Sequence, residues 1–257
     1  MVCQTFLMVL NTAANFEITG FVFFSTICSY SFHWYFTDHS VLPSKRINWL
    51  RNNKHIHLIF LIAGTAGAAY FAFLLLSYWP WLIAGIIPTF LYSAPKIPNK
   101  YFRGLRRVAI GKTIFLALIW MYVTVLLPII ISGEPWSREF TLFAINRYFL
   151  IYAICILFDY RDREDDKADG IRSLITYLNE KSITRLFIFS LFICFITIVL
   201  LFKSGFGSVD LIILFIPAII VAFLYPYARK NFSDMLYYLV LDGLMALSAL
   251  LLLISRI

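Results

Sequence analysis

Long apolar runs separated by short basic stretches set the pattern of this chain. Residues 18–37 contain no Asp, Glu, Lys or Arg, and about 20 apolar residues in a helix cross a hydrocarbon core about 30 Å thick. Residues 1–16 are nearly uncharged too, but the run is short and broken by Asn11 and Asn15, so a stunted first helix is expected there. Residues 58–95 form an uncharged run of 38, too long for one crossing. Pro80 divides it inside Ser77-Tyr78-Trp79-Pro80-Trp81, because proline removes a helix donor and Tyr and Trp favour the headgroup level. Two spans joined by a tight interfacial turn follow from that. Five further spans are expected at about 113–133, 140–158, 186–202, 211–228 and 235–255. The pattern therefore predicts an all-α integral membrane protein, a bundle of about nine transmembrane helices around a central cavity, with residues 1–257 as one domain.

Two expected spans carry an ionisable residue, and a charge at the membrane centre costs about 2.5–3.5 kcal/mol on insertion scales. Arg147 lies near the start of its run, beside Arg138, and is expected to snorkel to the interface. Asp242 lies deeper and is expected to face the bundle interior.

Orientation follows from the basic residues, since short loops rich in Lys and Arg stay cytoplasmic. Eighteen of the 22 fall in the loops of one side, at residues 45–54, 96–112, 161–185 and 229–230; Arg138, Arg147, Lys203 and Arg256 are the remainder. The basic loops are thus expected in the cytoplasm, with the N-terminus inside and the C-terminus outside.

Composition agrees with lipid as the solvent: 61% of residues are hydrophobic and 14% charged, where soluble domains run near 45–50% and about 25%. Cys3, Cys28, Cys155 and Cys194 are scattered through apolar runs, which fits neither a disulfide framework nor a metal-ligand spacing. No removable signal peptide is expected, because a charged n-region and a small-residue cleavage site are both lacking. The expected partners are membrane lipid and lipid-soluble molecules, not nucleic acid.

Chemistry concentrates in one place. Asp159, Asp162, Glu164, Asp165, Asp166 and Asp169 put six of the fourteen acids into eleven residues, directly after a span and on the basic side. A helix continuing past Phe158 would align Asp159, Asp162, Asp166 and Asp169 on one face. Such a stripe repels itself unless a cation binds it, and hard oxygen ligands suit Mg²⁺, which commonly bridges one or two carboxylates to substrate phosphates. The competing reading is a solvated acidic loop balanced by Arg161, Arg163 and Lys167. A second constellation, Leu91-Tyr92-Ser93-Ala94-Pro95-Lys96, ends a span on the same side and leads into Lys100, Arg103, Arg106 and Arg107. Lys96 there suits phosphate as a point charge, and Tyr92 as a hydrogen-bond donor.

Together these residues resemble a known family. Asp159, Asp162 and Asp166, in D-x-x-D-x-x-x-D spacing and followed by Gly170 and Ser173-Leu174, resemble the second aspartate-rich motif of the UbiA-type intramembrane prenyltransferases. Tyr92 to Lys96 resembles that family's Y-x-x-x-K motif, and nine helices with these loops on the cytoplasmic side match its architecture. The resemblance implies Mg²⁺ at Asp159, Asp162 and Asp166, which also carry the catalysis, with Asp38 as a further metal ligand. It implies an isoprenyl diphosphate held by Tyr92, Lys96, Arg103, Lys112 and Lys167, its tail in a tunnel between helices, and Asp242 facing the cavity. Ionisation then gives an allylic carbocation that an aromatic or other lipid-soluble acceptor attacks. The expected location is a bacterial inner membrane, with quinone biosynthesis as one role.

The first aspartate motif departs from the family pattern. Where N-x-x-x-D-x-x-x-D is expected, ending on Asp38, this chain has Tyr30 and Trp34 in place of Asn and Asp. His33 stands beside the gap. This departure supports a second reading, a relative that binds a prenyl diphosphate or another lipid without transferring it. A phosphatidyl-type alcohol transferase lacks its D-G-x-x-A-R opening here, since Ile171-Arg172 follow Asp169-Gly170. A transporter would show paired interrupted helices.

Overall fold

Three of the long helices in this protein start on a capping side chain. A computed structural model describes residues 1–36, 45–94, 112–168 and 173–256, and among these every regular element is a helix. Asn15, Ser137 and Asn179 each accept a hydrogen bond from the backbone N–H three residues on, at 3.1, 3.3 and 2.8 Å. Glu17, Glu139 and Glu180 stand in the first turns that follow. A side-chain acceptor there satisfies an orphan amide, and an acid complements the positive helix end.

The helices are α1 (Val2–Gln4, continued as a π-helical stretch Thr5–Leu10), α2 (Phe16–Tyr35), α3 (Lys45–Asn52), α4 (Lys54–Leu74), α5 (Trp79–Ser93) and α6 (Lys112–Met121, then a π stretch Tyr122–Leu126, then Leu127–Ser132). They continue as α7 (Arg138–Arg161), α8 (Arg163–Ala168), α9 (Leu174–Tyr177), α10 (Glu180–Lys203), α11 (Ser208–Ala228) and α12 (a π stretch Leu236–Leu241, then Asp242–Ser255). Six of them, α4, α6, α7, α10, α11 and α12, are long and apolar enough to cross a membrane. The chain is an all-α integral membrane protein. The other three expected spans are helical as well, but α1 is short and changes geometry midway, α5 has 15 residues, and α2 mixes Glu17 and His33 with hydroxyl groups. The break expected near Pro80 is there: α4 ends at Leu74, a 3₁₀ turn covers Leu76–Tyr78, and Pro80 sits in the first turn of α5, where its missing N–H costs nothing.

The chain divides into two compact units. The first comprises Met1–Ala14, Thr113–Asp162 and Tyr177–Ile257. Its centre is α7, in which eight consecutive residues, 150–157, are buried, so this helix is covered on every side. Asn146 ties it to α10: the side-chain amide donates to the Cys194 carbonyl at 3.2 Å and to Thr197 Oγ1 at 3.1 Å. Between α1 and α6, Thr5 Oγ1 donates to the Thr124 carbonyl at 2.7 Å; both residues lie in π stretches.

Arg147 does not snorkel. Only 1% exposed, it turns inward, where Nη1 donates to Ser248 Oγ at 2.8 Å and Nη2 to the Met245 carbonyl at 2.5 Å. Ser248 Oγ in turn donates to Gln4 Oε1 at 3.1 Å. Nine residues of helix separate Arg147 from Arg138, about 13 Å of rise, so polar partners on α12 and α1 are nearer than water. Inside a bundle a charge persists where such groups meet its donors.

The second unit comprises Asn15–Lys112 and Arg163–Thr176. Its helices α2 and α4 approach closely at Gly64, where an added Cβ would lie 2.7 Å from the Cys28 backbone nitrogen. Beside that contact Cys28 Sγ and Thr65 Oγ1 are 3.2 Å apart, and Phe24 stacks on Phe71 with ring centroids 5.7 Å apart. Outward faces carry exposed apolar side chains, among them Phe60, Phe73, Phe192 and Phe223, which only a lipid solvent leaves stable on this scale. All four cysteines are free thiols, with Cys155 and Cys194 buried.

Candidate functional site

The acidic segment begins on the last turns of α7. Asp159 is buried at 5% exposure, and the Thr113 hydroxyl at the start of α6 donates to its Oδ2. The helix does run on past Phe158, as far as Arg161, and Asp162 ends it with φ −81° and ψ 1° while its N–H donates to the Phe158 carbonyl at 2.9 Å. The aspartates therefore do not share one uninterrupted helical stripe. An acid at a helix C-terminus opposes the macrodipole, so the chain stops there and restarts as α8, which carries Asp166. Asp166 is buried and belongs to the second unit, whereas Asp159 and Asp162 belong to the first. Asp169 lies outside the described residues.

Basic residues within the segment go to particular acids. Arg161, 7% exposed, pairs its Nη2 with Asp234 at 2.6 Å. Its guanidinium carbon lies over Tyr238 at 4.6 Å and Tyr237 at 5.1 Å. Tyr237 is itself fixed by donating its hydroxyl to the Ala228 carbonyl at 2.9 Å. Lys167 pairs with Glu164 at 2.7 Å, both side chains exposed. Nearby, Arg229 pairs with Glu180 and lies over Tyr160 at 5.2 Å. The segment is thus partly an ion-paired surface, in which the Arg161 guanidinium faces both Asp162 and Asp234.

Among the described residues no three His, Cys, Asp or Glu side chains gather closely enough to hold a metal by themselves. The donor set at this site is the carboxylate pair Asp159 and Asp162, one helical turn apart and one of them held by a hydroxyl. Such a set fits Mg²⁺, which needs only one or two protein carboxylates when waters and phosphate oxygens complete its shell. It suits zinc less well, since zinc sites combine His or Cys with any carboxylate ligand.

In the second unit, Tyr92 occupies the last turn of α5 and stacks on His33 of α2, with ring centroids 6.1 Å apart and planes at 18°. Trp34 meets His33 edge-on at 5.5 Å, and Phe32 of the same helix approaches Phe90 of α5 at 6.1 Å. The two sequence segments singled out in this half of the chain, Tyr30–Trp34 and Tyr92 onward, therefore converge. Around the position of Trp34, which stands where the family pattern has Asp, there is an aromatic cluster. Beside it the Ser93 hydroxyl is buried without a hydrogen-bond partner among the described residues. Lys96, Arg103 and Asp38 lie outside the described residues, as does the side chain of Lys112. Asp242 is half-buried at the junction where the π stretch of α12 becomes regular helix; π stretches are frequent at functional sites.

Sequence reasoning missed Thr113. Its partner is 46 residues away, and no spacing rule links the two; only its place beside Lys112, at the start of a span on the basic side, could have flagged it.

A family model, the UbiA prenyltransferase family, matches residues 36–236. No curated protein and no solved structure matches the chain. The matched stretch takes in Tyr92 to Lys96 and the whole acidic segment, and it begins after Trp34.

Proposed function

Because this chain belongs to the UbiA prenyltransferase family, we propose that it transfers an isoprenyl group from a prenyl diphosphate to an aromatic or other lipid-soluble acceptor, with Mg²⁺ as cofactor. Prenyl transfer in a membrane is the general chemistry of the family; substrate, acceptor and metal are the proposal. The observation that carries it is the pairing of Asp159 and Asp162 at the end of a largely buried span, next to one of the loops that together hold eighteen of the 22 basic residues.

In this reading Asp159 and Asp162 hold the cation, and Asp166 and Asp38 are the further carboxylates that the family resemblance assigns to it. Mg²⁺, when bound, supplies positive charge opposite the diphosphate. Tyr92 donates its hydroxyl to a phosphate oxygen, and Lys96, Arg103, Lys112 and Lys167 add point charges around it. These groups matter most as the allylic carbon–oxygen bond breaks, when its electron pair stays with the diphosphate oxygen and charge there grows. The acceptor then bonds to the allylic carbon and loses a proton. Asp242 contributes a polar group to the cavity that holds the acceptor and the prenyl tail. The whole chain acts as one transmembrane domain, its acidic segment cytoplasmic in a bacterial inner membrane, and quinone biosynthesis is a setting that would supply such an acceptor.

A specific observation favours a second reading. Tyr30 and Trp34 replace the carboxamide and carboxylate of the family's first motif, and one cation site stabilises a leaving diphosphate less than two. The alternative is a protein that binds the prenyl diphosphate, or another lipid, without turnover. One experiment separates the two: the purified chain in detergent, incubated with Mg²⁺ and labelled prenyl diphosphates with and without aromatic acceptors, is followed for diphosphate release. Release that depends on Mg²⁺ and acceptor supports the enzyme. Saturable binding with no release supports the binder.

A further inference from the structure

Thr113 and Asp159 meet across two helices of the same unit, both buried, with the threonine 1% and the aspartate 5% exposed. The hydroxyl donates to Oδ2 of the carboxylate. Among the described residues, Thr19, Thr26, Thr65, Thr89, Thr184 and Ser190 all donate to the carbonyl four residues earlier on their own helix. Thr113 instead sends its proton across to α7, to the Asp159 carboxylate.

We propose that Thr113 is a positioning residue for the metal-binding carboxylate. The proposal rests on the reading of Asp159 as a cation ligand. A carboxylate on a helix rotates about χ2 over a broad range, and a ligand that wanders must be reordered each time a cation binds. The Thr113 hydroxyl removes that freedom, because it fixes one carboxylate oxygen and with it the plane of the other. The carboxylate is thus oriented before the cation arrives. Supporting hydrogen bonds to ligating side chains are worth about 10–100-fold in metal affinity or activity, and we expect the loss of this one to fall in that range.

The test uses the full chain in detergent and reads Mg²⁺ affinity from the rise in thermal unfolding midpoint with Mg²⁺ concentration, with no prenyl diphosphate present. Thr113→Val removes the donor at nearly constant volume, Thr113→Ala removes it with a different packing change, and Thr113→Ser keeps it. Asp159→Asn is the arm that checks the underlying reading. We expect the wild type and Thr113→Ser to saturate at the same Mg²⁺ concentration, and Thr113→Val and Thr113→Ala to need about 10–100-fold more. Asp159→Asn should lose the response. If the Val and Ala variants keep wild-type Mg²⁺ affinity while Asp159→Asn loses it, the cation reading stands and the role of Thr113 is overturned. That role is equally overturned if Ser fails as badly as Val, since the hydroxyl is then not what matters, or if the metal-free midpoint alone falls. If Asp159→Asn still responds to Mg²⁺ like the wild type, the metal reading itself is wrong.

Discussion

Removing the Ser248 hydroxyl should destabilise the protein out of proportion to its size, because it strands a buried charge. Ser248→Ala takes the acceptor from Arg147 Nη1 and the donor from Gln4 Oε1. A hydrogen bond to a charged group is worth about 1.5–3 kcal/mol, and a neutral interhelical bond in a membrane protein averages about 0.6 kcal/mol. With Arg147 only 1% exposed, water does not replace the lost acceptor, so a cost of about 2–3 kcal/mol is expected. Replacing the arginine as well reverses the sign of the argument. Arg147→Met removes the charge while keeping an unbranched chain of similar length, and exchanging a buried ionic group for apolar packing is often neutral. The double variant Arg147→Met/Ser248→Ala should therefore be more stable than Ser248→Ala alone. Equilibrium unfolding in mixed micelles measures all three. A Ser248→Ala variant within about 0.5 kcal/mol of wild type, or a double variant below the single, would refute this account, since the expected loss is several times that margin.

Three other expectations follow from separate features. Gly64→Ala puts a Cβ 2.7 Å from the Cys28 backbone nitrogen and should cost about 1–3 kcal/mol as α2 and α4 are forced apart; an unchanged unfolding midpoint would show that the contact has slack. Single cysteines placed at Lys181 and Gly133, which are separated by the one span α7, should be labelled from opposite faces of sealed vesicles, with Lys181 on the cytoplasmic face; labelling of both from one face contradicts the topology. Installing the family's residues with Tyr30→Asn and Trp34→Asp should raise Mg²⁺-dependent diphosphate release; a variant that folds and binds but releases no faster would mean that the aromatic cluster is not what limits turnover.

How much of this is legible in the sequence depends on the range of the interactions. The apolar runs, the break before Pro80 and the caps at Asn15, Ser137 and Asn179 are local, set by solvent and by neighbours three residues away, and the spans can be drawn from them. The number of crossings cannot, because α1, α2 and α5 fall short in length or apolarity where packing, not composition alone, decides whether a segment is helical. Arg147 misleads for the same reason: Arg138 suggests an interface, while Ser248, Met245 and Gln4, which hold it, lie far along the chain. At the acidic segment the residue types and spacing carry the chemistry and point to the family. They do not carry the stop at Asp162, which needs the helix dipole, or the hydroxyl of Thr113, which needs the approach of α6 to α7. The meeting of His33 with Tyr92 likewise joins two segments that spacing alone leaves apart.

The central claim is that Asp159 and Asp162 hold a cation that binds a prenyl diphosphate, and it is tested most directly by equilibrium binding of a labelled prenyl diphosphate to the purified chain, with and without Mg²⁺, in wild type and Asp162→Asn. Asp162 ends α7 half-buried beside Arg161, and since Asn keeps its size and shape the substitution should leave the protein folded, which the unfolding midpoint checks. The account predicts Mg²⁺-dependent binding in the wild type and, in the variant, a loss of at least about tenfold that added Mg²⁺ does not restore. Equal Mg²⁺-dependent binding in both proteins would contradict it and leave the acidic segment as an ion-paired surface.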